Sequence, residues 1–144
     1  MATPHSILVP VVQSDASLEA VAVAATIAKQ KKGRVQVVHV IEVARSLPLN
    51  AELEGEARRG EQVIKRAEEI AAAAGCPVSG TLLQAREAGQ AICDEALDQD
   101  VDAIIMGVGR EGVGRTAEFV LKNATCAVWV VRQSMRPSEG HHHE

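Results

Sequence analysis

Residues 101–116 read VDAIIMGVGREGVGRT, and the fold turns on how they are understood. The first half, VDAIIMGV, is short and almost entirely apolar, the pattern of a strand buried on both faces. The second half packs four glycines and two arginines into residues 107–116. TAEFVLKNA (116–124) then places Ala117, Val120, Leu121 and Ala124 at helical spacing. A buried strand, a glycine loop and a helix in that order make one unit of an α/β fold.

The same alternation extends outward in both directions. SILVPVV (6–12), RVQVVHVIEV (34–43), PVSGTLLQA (77–85) and CAVWVVRQ (126–133) read as four more strands. LEAVAVAATIAKQKK (18–32) is a helix with Ser14 and Asp15 as N-cap candidates, lysines at its end and Gly33 as its stop. A longer helix spans roughly 53–74, with Val63, Ala67, Ile70, Ala71 and Ala74 on one face; Gly75 ends it and Pro77 prevents its return. AGQAICDEALDQD (88–100) is a third helix with Ala88, Ile92 and Ala96 inward. Five strands alternating with four helices predict an α/β fold: a three-layer, doubly wound, five-stranded parallel sheet. In such sheets ligands bind beyond the carboxyl ends of the strands where the strand order reverses. The first and fourth strands flank that point, which directs attention to VPVVQSD and to residues 107–116.

The 144 residues suit one domain, assigned to 1–138. EGHHHE (139–144) reads as a tag remnant. Setting aside Glu139 and Glu144 leaves 17 acidic against 15 basic residues, a net charge of −2. That balance, with one Trp, one Phe and no Tyr, predicts no nucleic-acid partner. With no apolar run long enough to span a bilayer, no direct membrane insertion is expected. Three widely spaced cysteines, Cys76, Cys93 and Cys126, read as packed thiols of a reducing compartment, hence a cytoplasmic location.

Gly107, Gly109, Gly112 and Gly114 can take positive φ and let N–H groups converge, with a helix start close behind and Thr116 as its candidate cap. Arg110 and Arg115 could bind phosphate. A permissive turn with solvated arginines is the alternative. The loop is neither a phosphate loop ending in GKS or GKT nor a dinucleotide fingerprint. No catalytic set is recognisable: His5 lies in a start expected to be flexible, His39 is a packed or hydrogen-bonded strand residue, and no His/Cys cluster has metal spacing. The expectation is therefore no enzyme and no metal. The last strand, 126–132, reads as an apolar sheet edge, which predicts a homodimer through it; cover by the chain's own tail is the alternative.

ILVPVVQSDAS, VVHVIEV, AGQAICDEALDQDVDAIIMG and GVGRTAEFVLKNATCAVWVVR, in this order, resemble the universal stress protein family over roughly 5–133. The stretches EVARSLPLNAELEGEARRGEQVIKRAEEIA and GRTAEFVLKNATCAVWVVR look most like such domains appended to amino-acid and cation transporters. The resemblance implies strand order 3-2-1-4-5 in an adenine nucleotide alpha hydrolase-like fold. It implies a regulatory domain that holds ATP or AMP at the ends of the first and fourth strands. By similarity the site comprises Pro10, Val11 and Val12 from the first strand, Val40 from the second, and Met106 through Thr116, including Gly107, Gly109, Gly112, Gly114 and Arg115. Val12 stands where the family has an Asp that addresses the ribose, and the glycine loop is shortened. A lost charge-assisted bond is worth about 1.5–3 kcal/mol, so nucleotide binding is expected to be weak. The alternative is a dimerisation or interaction module that binds no nucleotide and sits on a transporter's membrane domain.

Overall fold

The computed structural model describes residues 3–136; the 139–144 stretch lies outside the described residues. Five strands alternate with four helices: β1 Ser6–Pro10, α1 Asp15–Gln30, β2 Arg34–Glu42, α2 Glu54–Ala73, β3 Ser79–Ala85, α3 Ala88–Asp98, β4 Ala103–Val108, α4 Arg115–Asn123 and β5 Ala127–Arg132. All strand pairs are parallel and the order is β3-β2-β1-β4-β5, as expected.

Side-chain alternation along the strands builds two cores from one sheet. Ile7, Val9, Val35, Val37 and Ile105 face α1 and α2. Leu8, Val38, Ile104, Met106 and Val108 face α3 and α4. Helix α1 meets the first face through Ala20, Val21, Ala24, Ala25 and Ala28, small side chains that bring its backbone close to the strands. Helix α2 adds Val63, Ile64, Ala67 and Ala71. Burial of this kind contributes about 0.8 kcal/mol per methylene, enough across two contiguous cores to fix the layers.

Three details differ from the sequence reading. β1 stops at Pro10, not Val12, because the chain turns there to start α1. Leu121 of α4 is 46% exposed; Ala117 and Val120 are the buried residues of this short helix, with Ala124 packed at its end. His5 is tied down: its N–H and that of Ser6 each donate to Asp102 Oδ2 at 2.9 Å, and its carbonyl accepts from Arg34 N–H at 2.9 Å. The two bonds from His5 and Ser6 hold the Asp102 carboxyl below the usual range, with Arg34 helping more weakly.

Candidate functional site

A cleft of about 710 Å³ opens at the carboxyl ends of β1 and β4. Its position follows from strand length and register. β1 pairs with β4 only at Ile7↔Ala103 and Leu8↔Ile104, so the two separate beyond that point. On the other side β1 ends opposite Val38, while β2 runs four residues further, to Glu42. Val38 offers its carbonyl toward β1, where Val11 N–H donates to it at 2.8 Å. Main-chain groups repeat their direction every second residue, so Val40 presents its N–H and C=O toward the same gap, past the end of β1.

The turn after β1 uses its own polar groups. His39 Nδ1 lies 2.8 Å from the carbonyl of Val11 and donates to it in the matching tautomer. Val12 N–H donates to Ser17 Oγ at 3.0 Å, Ser14 N–H to the Val12 carbonyl at 2.8 Å, and Ser17 N–H to Ser14 Oγ at 3.1 Å. Ser14 is thus the N-cap of α1, as the sequence indicated. The side chain of Val12 is 55% exposed at the mouth. This wall is mainly apolar surface, and Ser14 and Ser17, which also line it, were not among the expected site residues. A polar pair spaced to cap a helix beside the strand end was the available signal.

The glycine loop works differently from the expectation. Of its four glycines only Gly112 has positive φ, 109°. Gly107 is required by a close approach: a Cβ there would run into the carbonyl of Ala16 in the first turn of α1. Residues 109–112 fold back in a tight turn, with Gly112 N–H donating to the Gly109 carbonyl at 3.2 Å. Arg110 leaves the cleft, its Nε donating to the Ser134 carbonyl at 3.0 Å. Glu111 lines the cleft instead. The N-cap of α4 is Gly114, not Thr116, which sits one residue inside the helix. Gly114 supplies no side-chain acceptor, and the first helical bond runs from Glu118 N–H to the Gly114 carbonyl. The N–H groups of Arg115, Thr116 and Ala117 therefore lack helical acceptors, and all three residues line the cleft. Arg115 reaches back toward β2, 3.8 Å from Glu42 Oε1.

All the expected positions, Pro10, Val11, Val12, Val40, Met106, Gly107, Gly109, Gly112, Gly114, Arg115 and Thr116, lie around this one cleft. Ala16, Val38, Ala88, Ile92, Ala117 and Gln133 also line it and were missed. They arrive from elements whose sequence shows only helical or strand periodicity. Among the described residues no group of three or more His, Cys, Asp or Glu is placed to hold a metal. No helix among them is long and apolar enough to cross a membrane. The three cysteines are free, and burial pushes each thiol up, away from the reactive thiolate.

A doubly wound sheet in this strand order, with its mouth at the strand reversal, defines the class of open α/β domains whose ligand crevices lie beyond the carboxyl ends of the strands. The sequence profile of the universal stress protein family matches residues 4–132, and the chain belongs to that family. A universal stress protein of Methanocaldococcus jannaschii is 32% identical over 139 residues, spanning 88% of this chain and 81% of that one. Among solved structures, a universal stress protein of Archaeoglobus fulgidus in complex with dAMP superposes with a TM-score of 0.76 at 23% identity, over 90% of this chain and 99% of that chain. An Arabidopsis thaliana family member with AMP bound gives 0.69 at 16% identity, over 92% and 94%. At these identities the two structures speak for the fold. The relatives are little longer than one such domain, so the narrower likeness to transporter-appended domains gains no support from them.

Proposed function

We propose that this is a regulatory domain that binds an adenine nucleotide weakly in the cleft between β1 and β4. One observation carries the reading: a single cleft joins the open main-chain edge of Val40 to the uncapped start of α4. The Val40 N–H and C=O form a donor–acceptor pair of the kind an adenine edge requires. The apolar wall of Pro10, Val11, Val12 and Met106 suits a base face. Phosphate would meet the N–H groups of Arg115, Thr116 and Ala117, the positive end of the helix, and the Arg115 guanidinium. Glu111 and the apolar Val12 both hold affinity down, the first by repulsion and the second by leaving ribose hydroxyls without a carboxylate. Relatives solved with AMP and dAMP support the ligand class.

Isothermal titration with AMP and ATP tests this, with saturable heat expected at micromolar to millimolar nucleotide. Replacing Arg115 by Ala should weaken AMP about tenfold. Silence with both nucleotides up to millimolar concentration overturns it. No turnover of either nucleotide is expected: Glu111 is the single carboxylate lining the cleft, and the Ser14 and Ser17 hydroxyls there accept main-chain N–H bonds at the start of α1.

A second reading is an interaction module without nucleotide, and β5 favours it. This edge strand has no fully buried residue, and Val130 is 37% exposed. A bare apolar edge pairs readily with a second copy. Homodimerisation through 126–132 fits both readings, and so does a transporter membrane domain as partner. A cytoplasmic setting accords with the free thiols.

A further inference from the structure

A second cavity of about 290 Å³ adjoins the main cleft and shares Arg115 and Thr116 with it. Its other walls are Glu42 and Arg45 after β2, Arg86 and Glu87 after β3, and Gly89 and Phe119 at the seam of α3 and α4. Three guanidinium groups meet two carboxylates here, leaving one positive charge in excess. Neither ion pair is closed: Arg45 stands 3.6 Å from Glu87 and Arg115 3.8 Å from Glu42, with arginine side chains 81% and 88% exposed. Two groups are anchored. Glu42 Oε2 accepts from Ala88 N–H at 2.8 Å, and Arg86 Nη1 donates to the carbonyls of Ala44 at 2.6 Å and Leu47 at 2.9 Å. Arg45 and Arg115 are thus the exposed, loosely paired cations. The chain's single Phe lines the same cavity, pressed so closely on α3 that a Cβ at Gly89 would lie 2.8 Å from Phe119 Cδ1.

A flat apolar ring among loosely paired arginines is the chemistry that holds a stacked base beside a phosphate bridge. A terminal phosphate alone would leave Phe119 unused. We propose that the two cavities together take a dinucleotide, two adenosines joined through phosphates. One adenosine occupies the main cleft, the bridge crosses the shared rim at Arg115 and Thr116, and the second base lies against Phe119 with Arg45 beside the bridge. This rests on the reading of the main cleft as an adenine-nucleotide site.

Isothermal titration of the full chain with AMP, ATP and diadenosine tetraphosphate tests it, alongside Arg45→Gln and Phe119→Leu. The dinucleotide should bind at least about tenfold tighter than AMP and clearly tighter than ATP. Each variant should lose most of that gain and keep AMP affinity within about twofold, with a cooperative thermal transition well above the titration temperature showing that it is folded. A dinucleotide no tighter than AMP overturns the proposal while leaving the AMP site standing. ATP matching the dinucleotide removes the second base from the cavity and overturns it too, as do variants that weaken AMP in equal measure. If AMP itself does not bind, the underlying reading falls and this one with it.

Discussion

Val12 decides how the mouth treats a sugar. Its side chain points largely into water, so a carboxylate there would keep most of its hydration. Val12→Asp should tighten AMP about tenfold by calorimetry, with no gain for an analogue lacking both ribose hydroxyls. An equal gain for that analogue would place the sugar elsewhere. Gly107 carries a different constraint, the nearness of the Ala16 carbonyl. Gly107→Ala should lower unfolding stability by about 1–3 kcal/mol in urea titrations, because backbone must shift to admit the methyl group. An unchanged midpoint would show that α1 yields freely. The sequence could not announce this role. A glycine chosen for nearness and one chosen for φ look identical until the neighbouring helix is in place.

Among the elements, α4 shows how far pattern reading reaches. Its place and its Ala117 and Val120 contacts follow from periodicity, and both were legible. Its cap was not, since Gly114 and Thr116 differ only in where the tight turn of 109–112 delivers the chain. The direction of Arg110 was not legible for the same reason: the turn carries it toward Ser134. At the other end of the sheet, Asp102 staples β1 to the start of β4. Its folded pKa is lowered, so its contribution is full above the unfolded value and fades as pH falls through the folded one. Chemical denaturation from neutral pH to below about 4 should show part of the acid sensitivity vanish in Asp102→Asn. The effect will be modest, because the carboxylate is exposed and solvent-screened. Identical pH profiles for the two proteins would remove the staple from the account.

For the whole molecule, sheet order and the position of the mouth were readable because they depend on the succession of buried runs. The extent of the site was not, since α1, α3 and α4 contribute through their approach to the sheet. Oligomeric state belongs at this scale. Sedimentation should give a dimer that Val130→Asp converts to monomer, because a charge on the exposed face of β5 would be trapped in the contact. A monomer before substitution would end that proposal. The parallel sheet also fixes where attachments sit. The described chain enters at the Asp102 pole and leaves beside the Arg110 turn, so a label on His5 stands roughly 20 Å, one strand length, from the mouth. A fluorophore on Ser134 sits next to the opening, where its emission would report ligand entry and its bulk would compete with it.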